Sequence, residues 1–149
     1  MPPNPKKIRV FADTSVIIAA VWSATGGARA LFRMSELELI KLISGQSALT
    51  EADEVVRRKF PDTLPALVNI LEKSRLELAA KPPDNLIAKA NELIAYPPDA
   101  KILAEAMQAA PDWFVTHDRE HFLNNPALQE LSFRVGTPGD VLLWLREIT

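Results

Sequence analysis

Two short, largely apolar runs, each leading to an acid, constrain this chain more than any other feature. Ile8-Arg9-Val10-Phe11-Ala12 stops at Asp13, and Trp113-Phe114-Val115-Thr116 is followed by His117 and Asp118. A run of this length and character reads as a buried strand. Each strand would deliver its carboxylate to its own C-terminal tip. Elsewhere the chain alternates strand-like with helix-like segments, the pattern of a parallel α/β sheet covered by helices. In such sheets ligands bind outside the C-terminal tips. An acid at two tips therefore marks a place before any chemistry is assigned to it.

The remaining segments follow the same alternation. Strands are expected at Ile8–Ala12, Leu39–Ile43, Arg75–Ala80, Trp113–Thr116 and Phe133–Val135. Helices are expected at Thr14–Trp22, Ala28–Leu37, Ser47–Phe60 with Ser47 as N-cap and Pro61 as stop, and Thr63–Lys73. Pro82-Pro83-Asp84 opens a helix Asn85–Ile94, and Pro97-Pro98-Asp99 opens a helix Ala100–Ala109. Glu120–Leu131 reads as a broken helix with Pro126 inside it, and Val141–Glu147 closes the chain as a helix. No internal repeat, low-complexity tract or linker interrupts the 149 residues, so residues 1–149 read as one domain. The basic start, residues 1–6 and Lys7, lacks the apolar core of a secretory signal and reads as a flexible arm.

Composition excludes several classes. With no cysteine, disulfides, zinc–thiolate sites and cysteine catalysis are ruled out, and the absence suits a reducing, cytoplasmic setting. No apolar stretch approaches the ~18 residues of a membrane span, so no membrane partner is expected. A net charge of −2 does not advertise a nucleic-acid binder, although local positive charge can serve an acidic chain.

The acids carry the chemistry. Asp13, in Ala12-Asp13-Thr14-Ser15-Val16, is equally a helix cap or a ligand, and Thr14 and Ser15 could hydrogen-bond its carboxylate or a phosphate. On a helical wheel Ala48, Leu49, Ala52, Val55, Val56 and Phe60 form a buried stripe, with Glu51 and Asp53 on its two edges and Glu54 opposite, facing Arg58. Periodicity does not choose between Glu51 and Asp53. Asp99 suits a helix start, where an acid favours the N-terminus. Asp112 enters its strand at the end remote from the tips, whereas Asp118 leaves on the same edge as Asp13, with Thr116 placed to orient it. His117 could act as an acid or base or stand in a surface loop, and His121 reads as structural or exposed. Carboxylates of Asp13, Asp99, Asp118 and one of Glu51 or Asp53 gathered at the tips would repel one another without a cation. A hard divalent ion, Mg²⁺ or Mn²⁺, is the natural partner of such oxygen ligands.

Together these pieces resemble the PIN-domain ribonucleases. They are Phe11-Ala12-Asp13-Thr14-Ser15-Val16, the stretch Glu51 to Phe60, Asp99-Ala100-Lys101-Ile102-Leu103-Ala104, Asp112 to Leu123, and Thr137-Pro138-Gly139-Asp140-Val141-Leu142. No single piece is specific, but their order and spacing are. The resemblance implies a three-layer α/β/α fold around a parallel twisted sheet. It further implies Mg²⁺ or Mn²⁺ held by Asp13, Glu51, Asp99 and Asp118, with Thr14, Ser15, Asp112 and Thr116 as supporting groups. It chooses Glu51 over Asp53 by distance from Val-Val-Arg-Arg-Lys-Phe. Two departures stand out: His117 occupies a position where the family often has glycine, and Phe60–Pro98 matches only loosely.

The activity implied is divalent-metal-dependent endonucleolytic hydrolysis of RNA, in many relatives as the toxin of a toxin–antitoxin pair, with an antitoxin protein as partner. Arg57, Arg58, Lys59 and Arg119, with Arg29 and Arg33, are candidates for the RNA backbone, and Trp22 for base stacking. Segments Thr14–Trp22 and Ala28–Leu37 are candidates for a homodimer contact. The rival reading is a degenerate domain that binds RNA or protein. Other phosphate-handling α/β domains fall behind: no glycine-rich phosphate loop is present, and the Asp-x-Asp pair fails because position 15 is serine.

Overall fold

The computed structural model describes residues 7–148. Five strands form one sheet: β1 Arg9–Ala12, β2 Lys41–Ser44, β3 Glu77–Leu78, β4 Trp113–Val115 and β5 Arg134–Gly136. Their spatial order is β3-β2-β1-β4-β5, and every neighbouring pair is parallel. Seven helices connect and cover them: α1 Thr14–Trp22, α2 Gly27–Glu36, α3 Gln46–Lys59, α4 Leu64–Lys73, α5 Asp84–Leu93, α6 Pro97–Ala109 and α7 Pro138–Ile148. The result is the three-layer α/β/α architecture that the alternation implies.

The central strands are buried on both faces, which explains why they read as continuous apolar runs rather than alternating ones. Val10, Phe11, Leu42, Ile43, Phe114 and Val115 are fully buried. Phe11 and Phe114 stack across β1 and β4 at 5.6 Å, and Phe122 packs on Phe114 at 4.8 Å. The strand order reverses at β1, which pairs with β2 on one side and β4 on the other. Such a switch point leaves a crevice at the C-terminal tips, and Asp13 and Asp118 follow β1 and β4.

Several expected boundaries move for identifiable reasons. After α2 the backbone turns through Glu38 in the left-handed region (φ 62), leaving Leu39 exposed, so β2 begins at Lys41. Only Glu77 and Leu78 of the expected third strand pair with β2. The last strand is shifted one residue, to Arg134–Gly136, while Phe133 stays in the core. The broken helix resolves into a π-helical turn, Arg119–Leu123, and a 3₁₀ turn, Pro126–Glu130. Proline tolerates the first helical turn because no intrahelical N–H bond is made there. Accordingly Pro97 and Pro98 are already inside α6, and Asp99 lies in its first turn rather than before it.

Ser47 is not the cap of α3. Gly45 holds that position and makes no side-chain cap bond. The job is done from α6, where the buried Glu105 accepts the Ser47 N–H with both oxygens, at 3.1 and 3.2 Å. The approach is close enough that a Cβ at position 45 would stand 2.6 Å from the Glu105 carboxyl carbon, so glycine is required. The expected Glu54–Arg58 pair is not the one formed on this helix: Arg57 bonds Asp53 at 2.9 Å. The expected arm, residues 1–6, lies outside the described residues. Among the described residues no single helix is long and apolar enough to cross a membrane.

Candidate metal centre

Asp13 follows β1 directly and caps α1, its Oδ1 accepting the Thr14 N–H at 2.7 Å. Its Oδ2 accepts from the Thr116 hydroxyl at 2.7 Å and the Ser15 hydroxyl at 3.0 Å. The cap reading of Asp13 therefore holds, and the same carboxylate stands at the C-terminal tip of β1. The supporting hydroxyls are themselves fixed. Thr116 Oγ1 accepts the Asp118 N–H and Ser15 Oγ accepts the His117 N–H, each at 3.0 Å. Burial raises the Asp13 carboxyl above its ordinary value, against these three hydrogen bonds, and the Asp118 charge raises it further.

Glu51 sits in the second turn of α3, half-buried. Burial raises its carboxyl, the Asp13 charge raises it further, and the Thr14 hydroxyl works the other way. Asp53 pairs with Arg57 at 2.9 Å, whereas Glu51 lies within electrostatic reach of Asp13. Asp99 is pushed up to about 6, first by burial and then by Asp13, with His121 opposing and Asp118 and Glu51 adding to the rise. Asp118 caps the turn Arg119–Leu123, its Oδ1 accepting the His121 N–H at 3.0 Å. These mutual influences place Asp13, Glu51, Asp99 and Asp118 in one electrostatic cluster.

His121, expected to be structural or exposed, is the residue that sequence reasoning undervalued. Its Nδ1 lies 2.7 Å from Asp99 Oδ2 and 3.0 Å from Asp118 Oδ2. The signal was available: Asp118 and His121 are three apart, a spacing that puts two side chains on one side of a helical turn. Its imidazole is held toward the charged form, chiefly by the hydrogen bond to Asp118.

Asp112 is not brought to this cluster. It lies at the opposite end of β4, where its Oδ2 accepts the Arg9 N–H at 2.8 Å. Arg57, Arg58 and Lys59 stand in the last turn of α3, where cations suit the helix C-terminus. Arg119 is exposed immediately after Asp118. Arg29 is occupied by the carbonyls of Ala20 and Val21. Lys101, missed as a candidate cation, shares a groove beside Glu51 with the exposed ring of Tyr96. Trp22 is exposed and packs edge-on against Phe60 at 4.2 Å. Most of α1 is consumed by the core.

A raised carboxyl has a thermodynamic consequence. The folded chain disfavours charge on Asp99, so this group's contribution to stability is fully present below its ordinary value of 3.8 and lost as pH rises through about 6. Asp13 and Glu51 act in the same direction. With divalent ions chelated, the melting temperature of native protein relative to Asp99→Asn is expected to fall between about pH 4 and pH 6.5. Parallel melting curves for the two proteins across that window would contradict the clustering of charge.

A doubly covered parallel sheet gathers four interacting acids near its switch point. The chain belongs to the PIN-domain family, whose profile matches residues 9–120. No curated protein matches it by sequence. Among solved structures it is similar to VapBC2 from Rickettsia felis, bound to a DNA fragment from their promoter (16% identity, 87% of this chain and 98% of that chain, TM-score 0.64). It is also similar to PAE2754 from Pyrobaculum aerophilum (16% identity, 94% and 90%, TM-score 0.61). A third likeness is to Mycobacterium tuberculosis VapC20, a Sarcin-Ricin loop cleaving toxin (15% identity, 74% and 91%, TM-score 0.53). At these identities the likenesses speak for the fold.

Proposed function

We propose that this chain is a divalent-metal-dependent endoribonuclease that hydrolyses phosphodiester bonds in RNA, and that it serves as the toxin of a toxin–antitoxin pair. The observation that carries the reading is the convergence of Asp13, Glu51, Asp99 and Asp118 at the switch point, three of them raised above their ordinary carboxyl values. A scaffold gains nothing from crowding like charges, whereas a cation site requires it. The donor set consists of carboxylates braced by hydroxyls, which fits Mg²⁺ or Mn²⁺. Asp13 and Asp118 would hold the ion directly, and Glu51 and Asp99 directly or through water. When bound, such an ion supplies a water of lowered pKa and offsets charge on phosphate oxygens.

The protein's own contribution is positioning. Thr14, Ser15 and Thr116 lock the Asp13 carboxylate in one orientation. Arg58, Lys59, Arg119 and Lys101 are exposed cations available to the RNA backbone outside the acidic cluster. The toxin reading draws support from the likeness to VapC20 and VapBC2. It implies an antitoxin protein as partner, a cytoplasmic site of action, and a homodimer contact that would have to use α2 and the few exposed positions of α1.

Incubation of the purified protein with a mixed single-stranded RNA pool tests the activity. Cleavage is expected with Mg²⁺ or Mn²⁺ and is expected to stop with EDTA. Cleavage that survives chelation would overturn the metal-dependent reading. Retained ion binding without cleavage of any RNA would leave a binding module in its place.

A further inference from the structure

His121 has no part in the reading just given, yet its geometry is that of a ligand. Resting on that reading, we propose that His121 supplies Nδ1 as a nitrogen ligand to the cation held by Asp99 and Asp118, and that this mixed set makes the site favour Mn²⁺ over Mg²⁺. One oxygen of Asp99, one of Asp118 and a ring nitrogen of His121 lie within 4.8 Å of one another. The two contacts to Nδ1 are 2.7 and 3.0 Å. Ligand atoms bonded at about 2.1 Å to one octahedral ion stand about 3 Å from their neighbours, so this spacing suits a shared ion.

The ring is aimed, not merely nearby. Tyr96 stacks on it at 5.3 Å with an interplanar angle of 14°. The His121 N–H bonds Asp118 Oδ1, and the His121 carbonyl accepts from Asn125 Nδ2 at 3.2 Å. Backbone and ring are thus both fixed relative to the acid that shares the turn. A freely rotating surface histidine would show none of these restraints. Ligands held in place by such contacts lose little freedom on binding.

The selectivity follows from the ligand types. Mg²⁺ demands an octahedron of hard oxygens and keeps several waters. Imidazole suits the transition metals better, so exchanging one oxygen for Nδ1 costs Mg²⁺ more than Mn²⁺. Four carboxylates alone would leave Mg²⁺, the more abundant ion in cells, as the default occupant.

Electron spin-echo spectroscopy of Mn²⁺ bound to the purified chain tests the ligand directly, because a coordinated imidazole imprints its ¹⁴N coupling on the echo decay. The sequence holds two histidines, so His117→Ala serves as the control. The coupling is expected in the native protein and in His117→Ala, and is expected to vanish in His121→Ala. The ratio of Mn²⁺ to Mg²⁺ affinity is expected to drop about tenfold in His121→Ala. Bound Mn²⁺ without imidazole coupling in the native protein would overturn the proposal while leaving the nuclease reading intact, as would coupling that is lost in His117→Ala. A native protein that binds no divalent ion would overturn both. Should His121→Ala fail to fold, coupling retained in His117→Ala still assigns the nitrogen to His121.

Discussion

Asp13→Asn is expected to abolish RNA cleavage and yet to leave the chain as stable as the native protein, or more so. The two effects have different origins. Asp13 directly follows β1, the strand at the switch point, and is buried, so solvent cannot stand in for its charge. Losing several kcal/mol of charge stabilisation corresponds to a rate loss of about a thousandfold or more. Stability runs the other way because the folded chain already disfavours the ionised carboxyl. Asparagine keeps the volume and keeps an oxygen for the Thr14 N–H. Its amide can donate to the hydroxyls of Ser15 and Thr116, whose remaining lone pairs are free to accept. Cleavage and thermal melting measured on the same preparation separate the effects. A variant that loses activity only because it unfolds would contradict the role given to Asp13.

The second large effect concerns a residue far from any chemistry. Glu105→Ala is expected to destabilise the chain by about 3 kcal/mol, from the lost charged hydrogen bond and the space its side chain leaves. For a domain of this size that corresponds to about 6–12 °C in melting temperature. The half-buried Ser47 N–H loses its partner, and the start of α3 is freed. Glu51 rides on that helix, so cation affinity should weaken along with stability. Glu105→Gln retains an acceptor of the same shape and should recover most of the loss. A double-mutant cycle sharpens the point. Gly45→Ala is expected to destabilise the native chain, where its Cβ meets the Glu105 carboxyl at 2.6 Å, and to cost less beside Glu105→Ala, where the carboxyl is gone and only the Cβ contact at 2.8 Å remains. Additive losses in the cycle would contradict the packing of position 45 on Glu105.

The sheet was readable because its central strands are buried on both faces. Phe11, Leu42 and Phe114 sit in runs too short for helices, and two of those runs lead to acids. The parallel sheet covered by helices followed from alternation, while the strand order β3-β2-β1-β4-β5 did not. What could not be read is non-local. The cap of α3 comes from Glu105, 58 residues beyond Ser47, so a local rule pointed to Ser47 itself. Glu51 and Asp53 occupy equivalent edges of one helical stripe, and only packing against α1 and α6 separates them. Pro97 and Pro98 were expected just before the helix but form its first turn, which places Asp99 inside α6. His121 was passed over for a different reason: its three-residue spacing from Asp118 is local, but its second partner, Asp99, is not.

Calorimetric titration of Mn²⁺ into the purified chain tests the metal centre most directly. Near pH 6 the Asp99 carboxyl is about half protonated. Binding is therefore expected to release protons, with a heat that varies with the ionisation enthalpy of the buffer. At pH 8 that variation should shrink, and Asp13→Asn should bind far more weakly at both pH values. A folded native protein that takes up no divalent ion, or one that binds it equally well without the Asp13 carboxylate, would contradict the assignment of these four acids to a single cation site.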